Sequence, residues 1–337
     1  MQIGMVGIGK MGLSMALRLR KGGHSVVVHD ASPDRVRETV QGQRGMKGAY
    51  SLEDMASLLR PPRVVWLMIP AGKPVEETIG SLQDLLEEGD LLVDGGNSFY
   101  KDDLHHAEQL GKRGISYMDV GVSGGIWGLK EGYCLMAGGE KADFKRIEPL
   151  LKTLAPKDGY LYCGPVGAGH FVKMVHNGIE YGMMAAYGEG FQLLYASPYT
   201  ESLDLGGIAH LWNQGSVVRS WLLELCESAF RKDRDLSRIG GYVEDSGEGR
   251  WTVQQAVEMG VPAPLTALSL FGRFRSREKE PFSDKLQAAL RREFGGHEVV
   301  AEEKKRPRGG RPKGKRGGKR GDGRGREHAA SLPRTPR

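Results

Sequence analysis

Gly7-Ile8-Gly9-Lys10-Met11-Gly12 is the stretch whose reading decides the fold. An apolar run, Gln2 to Val6, leads into it, and a helix-like segment, Leu13 to Lys21, follows. Strand, glycine turn and helix in that order are what a dinucleotide-binding fold requires. Gly7 permits the tight turn, Gly9 lets the backbone approach a pyrophosphate, and Gly12 allows the helix to pack closely on the strand, with the helix N-terminus facing the anion. A glycine-rich turn without a ligand has the same local pattern. The position directly after the opening strand and the acid downstream favour the cofactor reading. That acid is Asp30, 18 residues after Gly12, where a carboxylate can accept hydrogen bonds from ribose hydroxyls. It repels a 2′-phosphate, which favours NAD over NADP, while nearby Arg35 offsets part of this and leaves dual use open. The alternative is a cap within Asp30-Ala31-Ser32-Pro33. The expected cofactor set is Gly7, Ile8, Gly9, Lys10, Met11, Gly12 and Asp30, with Pro70 and Ala71 beyond a later strand and Asn97, considered below.

Strand-like runs alternate with helix-like segments through the first half, at Gln2 to Val6, Ser25 to His29, Val64 to Ile69, Leu91 to Val93 and Ser116 to Asp119. This alternation predicts a doubly wound α/β domain with a mainly parallel sheet, of the Rossmann type. After about Cys163 helical patterns take over, at 169–195, 207–229, 251–259, 265–277 and 283–294. The expected division is a cofactor-binding domain over 1–164, an all-helical catalytic and dimerisation domain over 165–300, and a disordered basic tail over 301–337.

The net charge of +6 misleads as a description of the folded part. Lys304 to Arg337 carries 14 Lys or Arg against two acids, leaving 34 basic and 40 acidic residues over 1–303, an acidic body with a basic Gly/Pro-rich appendage. Such a tail cannot bury enough apolar surface to order itself, and without aromatic residues it offers non-specific contact with nucleic acid at most. Cys134, Cys163 and Cys226 are far apart and lack His or Cys partners at ligand spacing, so they read as reduced core thiols, with no metal centre expected. No leader-like segment or run near 18 apolar residues is present, which predicts a cytoplasmic chain.

Beyond Gly164 the sequence runs Gly167-Ala168-Gly169-His170-Phe171-Val172-Lys173-Met174-Val175-His176-Asn177-Gly178-Ile179-Glu180-Tyr181. On a helix, Lys173, His176, Asn177, Glu180 and Tyr181 occupy an arc of roughly 140°. The intervening Val172, Met174, Val175, Ile179, Met183 and Met184 suit a buried helix, and a polar stripe on a buried helix needs a polar partner. A solvated face with a Lys–Glu pair is the simpler alternative. The mixture of His, Asn and Tyr beside a lone Gly178 favours a ligand. A Lys whose pKa is lowered by burial can take a proton from an alcohol, and a Glu on the next turns can deliver one.

This helix, with Asp94-Gly95-Gly96-Asn97-Ser98 and Val122-Ser123-Gly124-Gly125, resembles the 6-phosphogluconate dehydrogenase family over residues 1 to 297. The resemblance implies oxidative decarboxylation of 6-phosphogluconate to ribulose 5-phosphate. Lys173 would be the general base and then the acid at the carbonyl oxygen, and Glu180 would protonate carbon 1 of the resulting enediol. Asn97 would touch substrate and nicotinamide. Ser123, Gly124 and Gly125 would hold the carboxylate, His176 and Asn177 the hydroxyls, and Tyr181 and Arg273 the phosphate. It also implies that Arg291 and His297 reach a neighbouring subunit's site, making the protein a homo-oligomer. One departure stands out: Ser246 and Glu248 occupy positions where longer members carry a Lys and a Thr that contact phosphate. A non-phosphorylated β-hydroxyacid as substrate, and a polyanion-binding role for the tail, are the competing readings.

Overall fold

The computed structural model describes residues 1–300. One sheet contains β1 (Gln2–Val6), β2 (Ser25–His29), β3 (Met46–Ala49), β4 (Val64–Leu67), β5 (Leu91–Asp94), β6 (Ser116–Ser123), β7 (Cys134–Gly138) and β8 (Tyr160–Gly164). The helices between them are α1 (Lys10–Lys21), α2 (Pro33–Val40), α3 (Leu52–Leu58), α4 (Lys73–Leu82), α5 (Tyr100–Gly111), α6 (Gly128–Glu131) and α7 (Lys141–Leu154). Across the sheet the strands lie in the order β3-β2-β1-β4-β5-β6-β7-β8, all neighbours parallel except the antiparallel pair β6–β7. The direction of winding reverses between β1 and β4, so the glycine turn after β1 opens at the switch point, where such sheets bind ligands.

Both faces of the sheet are covered, which is why its central strands read as continuous apolar runs. On one side Ile3, Met5, Val26 and Trp66 pack with Met15 and Leu19 of α1 and Ile147 and Leu151 of α7. On the other, Val27, Val65 and Leu92 pack with Met55 of α3, Ile79 of α4 and Leu110 of α5. Each such fully buried side chain stabilises the fold by about 1.5–3 kcal/mol.

The chain then becomes helical: α8 (Ala168–Tyr195), α9 (Leu205–Trp212), α10 (Trp221–Lys232), α11 (Glu248–Met259) and α12 (Pro264–Arg275). α8 packs on β6 and β7 and carries α11 and α12. Met1–Lys279 forms one compact unit, and the described residues 280–300, with α13 (Phe282–Gly295), belong to another. No helix among the described residues is long and apolar enough to cross a membrane.

Four sequence expectations need correction. β3, β7 and β8 were not anticipated, and β7 and β8 run against the other six strands. The single helix expected over 207–229 is two, because Ser220 starts a new helix by accepting the Leu223 N–H at 3.1 Å while its own N–H is held by Asn213 at 3.0 Å. The cysteines are not core thiols: Cys134 is exposed, and Cys163 and Cys226 are partly buried. On α8, Met174 is buried, but Val172, Val175, Ile179, Met183 and Met184 are exposed. The polar stripe is the better-buried side, because it faces β6, β7 and α11. The expected disordered tail over 301–337 lies outside the described residues.

Candidate active site

The glycine turn has the form its spacing predicts. Gly7 has φ +87°, and a Cβ there would meet the Met68 carbonyl oxygen at 2.6 Å; a Cβ on Gly12 would meet the Gly7 carbonyl at 2.0 Å. A Cβ on Gly9, by contrast, would meet no atom within 4 Å. Gly9 caps α1 without any side-chain hydrogen bond, leaving the first N–H groups of the helix for an anion. These features fit a dinucleotide pyrophosphate.

Asp30 lies beside this turn. Its Oδ2 accepts the Ile8 N–H at 3.0 Å, its Oδ1 accepts the Ser32 N–H at 3.0 Å, and Arg35 donates to both oxygens at 3.0 and 3.1 Å. Burial favours the neutral acid, but Ser32, Ile8 and Arg35 together hold the carboxyl below its ordinary pKa. The cap and the cofactor ligand, read as alternatives from sequence, are compatible in this geometry. Arg35 is tied to the carboxylate it was expected to offset. A cleft of about 550 Å³ is lined by Met11 of the turn with Pro70, Ala71 and Asn97.

The second half of the site is built on α8. Asp119, on β6, accepts the N–H groups of Gly167 and His170 at 2.7 and 2.8 Å and so anchors the helix start. The helix lies so close to the sheet that a Cβ on Gly121 would sit 2.4 Å from the Lys173 Cβ. Lys173 is therefore 7% exposed, with its Nζ donating to Asn177 Oδ1 at 2.8 Å. Burial lowers its pKa from the ordinary lysine value, with Glu180 and Glu248 acting in the opposite direction. His176 touches the same Asn177 oxygen through Nδ1 at 2.9 Å and Ser123 Oγ through Nε2 at 3.4 Å. Glu180 is partly exposed, 4.0 Å from the His176 ring nitrogen.

These groups share a cavity of about 980 Å³ lined by Asn97, Ser123, Gly124, Gly125, Lys173, His176, Asn177 and Glu180 among others. Asn97 and Met11 also line the cofactor-side cleft, so the two spaces adjoin. Tyr181 and Arg273 are not in the cavity lining. The Tyr181 hydroxyl accepts the Ser246 N–H at 3.1 Å, and the Arg273 guanidinium lies 3.4 Å over the Tyr181 ring while donating to the Glu244 carbonyl. Arg291 and His297 belong to the unit beginning at Glu280, where both are exposed.

Several residues escaped the sequence reading. His170 and Asp103 pair at 2.8 Å in the interior, with Tyr117 donating to the other Asp103 oxygen at 2.8 Å. Burial pushes Asp103 up to about 7. For His170 burial opposes the charge, but Asp103, Asp94 and Asp119 outweigh it and raise the imidazole to about 9. Asp94 lies close to this pair, its two oxygens accepting the Gly96 N–H and the Ser98 hydroxyl. His170 is three residues before Lys173 and extends the polar stripe by a turn. Asp103 lies 67 residues away and carried no comparable signal.

Residues 2–164 match the NAD binding domain of 6-phosphogluconate dehydrogenase, and residues 169–306 match its C-terminal domain. The Haloferax volcanii protein named as NAD⁺-dependent, decarboxylating 6-phosphogluconate dehydrogenase is 42% identical over 302 residues, covering 89% of this chain and 99% of that one. The corresponding NAD⁺-dependent protein of Bacillus subtilis is 37% identical over 290 residues, covering 82% of this chain and 62% of that one. The solved 6-phosphogluconate dehydrogenase of Plasmodium falciparum superposes with a TM-score of 0.75 at 28% identity, over 90% of this chain and 66% of the other. With both halves matched in order and the glycine turn adjoining the Lys173 cavity, the chain belongs to the 6-phosphogluconate dehydrogenase family.

Proposed function

We propose that this protein oxidises and decarboxylates 6-phosphogluconate to ribulose 5-phosphate and CO₂ with NAD as the preferred acceptor. The observation that carries the reading is the Lys173 amine, buried and held by Asn177 in a cavity that adjoins the cofactor cleft through Asn97. Lys173, with its pKa lowered by burial, takes the proton of the substrate's 3-hydroxyl. Bound NAD supplies the hydride acceptor. Loss of carbon 1 as CO₂ from the resulting 3-keto acid leaves an enediol, with Lys173 returning its proton to the carbonyl oxygen and Glu180 protonating the former carbon 2, which becomes carbon 1 of ribulose 5-phosphate.

Substrate is oriented by Ser123, Gly124 and Gly125 at its carboxylate and by His176 and Asn177 at its hydroxyls. Tyr181 and Arg273 serve the phosphate. Gly7, Ile8, Gly9, Lys10, Met11 and Gly12 receive the pyrophosphate, Asp30 the adenosine ribose, and Pro70, Ala71 and Asn97 the nicotinamide side. In this reading residues 1–164 are the cofactor domain and 165–300 the catalytic and dimerisation domain, with Arg291 and His297 completing the site of a second copy in a homo-oligomer. The name of the Haloferax volcanii relative supports NAD, as does the ionised Asp30. Rates with 6-phosphogluconate against NAD and NADP test the reading. No reduction of either cofactor would reject it.

A further inference from the structure

The Lys173 cavity has a second carboxylate, this one buried, that the reaction above leaves unused. Glu248 opens α11, is 2% exposed, and lines the cavity with Lys173, His176 and Ser246. Its Oε2 accepts the Ser246 hydroxyl at 2.6 Å, but its Oε1 is buried with no hydrogen-bond partner. Buried acceptors in folded proteins are paired, because an unpaired one bears the full desolvation penalty with nothing in return. On a residue that lines the cavity, an acceptor in that condition points to a donor brought by a ligand.

The surroundings restrict what that donor is. The Ser246 hydroxyl proton is committed to Glu248, and the Ser246 N–H to Tyr181. Arg273 is stacked on the Tyr181 ring. The free oxygen of a carboxyl group here is an acceptor, which suits a hydroxyl donor and not a phosphate oxygen. We propose that Glu248 is a specificity-determining residue of the substrate site, its free oxygen accepting a hydrogen bond from a hydroxyl of the bound polyhydroxy acid. This rests on the sugar-acid reading above and deepens it: the α11 wall reads the polyol chain.

The test is steady-state kinetics of full-length Glu248→Ala and Glu248→Gln with 6-phosphogluconate and NAD, beside pH profiles and thermal unfolding. Losing a hydrogen bond to a charged acceptor raises the substrate KM about ten- to a hundredfold in Glu248→Ala. Glu248→Gln keeps the shape and one acceptor oxygen, and raises it about three- to tenfold, with the KM for NAD changed less than about twofold in either variant. If Glu248→Ala does not fold, the isosteric Gln variant carries the test alone. Wild-type KM for substrate in the folded variants overturns the proposal, as does an equal rise for NAD. So does a Gln variant that only displaces the acidic limb of kcat/KM, which would make Glu248 a counter-ion of Lys173. A wild-type protein inert toward 6-phosphogluconate overturns the reading of the reaction and this proposal together, whereas an active wild type beside unaltered variants overturns this proposal alone.

Discussion

Replacing Asp30 with Ala separates its two roles, cofactor ligand and turn anchor, with a magnitude that follows from its contacts. The carboxylate accepts two backbone N–H groups and both donations from Arg35. Its pKa is held below the ordinary value, so it is ionised throughout the range in which such an enzyme is assayed. Removing it deletes a charged acceptor for a ribose hydroxyl, about 1.5–3 kcal/mol, which lowers kcat/KM for NAD about ten- to a hundredfold. It also removes the repulsion toward a 2′-phosphate and releases Arg35, whose side chain is 52% exposed. An exposed pair of that kind adds at most about 1 kcal/mol, a gain of about fivefold for NADP. The ratio of kcat/KM for NAD to that for NADP is thus expected to fall about fifty- to five-hundredfold. Measuring both cofactors on one preparation cancels any loss of folded protein from the freed Ile8 and Ser32 N–H groups. A lowered melting point with an unchanged ratio would refute the reasoning and leave Asp30 as a turn anchor only.

Three further outcomes are expected. Lys173→Met removes the proton acceptor while keeping the apolar stem, and should lower kcat by about 10²–10⁴ or more while NAD still binds in a titration; appreciable turnover rules the assignment out. In wild type the deprotonated lysine is the active form, so kcat/KM should rise with pH, and because burial lowers its pKa the rise should be complete below the ordinary lysine value of 10.5; a limb at or above that value contradicts a buried base. Asp119→Ala strips the acceptor from the buried N–H groups of Gly167 and His170 and should destabilise the fold by about 2–4 kcal/mol in denaturant unfolding, whereas an unchanged midpoint means α8 does not depend on this anchor.

The parts of the fold legible from sequence were those whose signal is local. The glycine turn needs six consecutive residues and one acid, and the central strands announce themselves because they are buried on both faces. β3 and β7 were hidden because their own residues give a weak strand signal. Met46-Lys47-Gly48-Ala49 is short and contains Lys and Gly, and Cys134 to Gly138 follows a glycine-rich loop and ends in glycine. The polar stripe of α8 was legible as a stripe, but which side of the helix is buried was not, since Lys173 is covered by a sheet whose close approach depends on Gly121. His170 was within reach of the same periodicity. Asp103 and Glu248 were not: the first matters only through a partner brought to it by folding, and the second through the absence of one. Ser246 and Glu248 did register as departures from the family pattern, and the structure adds that they bond to each other.

The central claim, a decarboxylating oxidation run from Lys173, is tested most directly by following NADH and CO₂ together when the purified chain is given 6-phosphogluconate and NAD. The expected result is the appearance of both in equal amounts, absent in Lys173→Met. NADH without CO₂, or neither product with NAD or NADP, would contradict it.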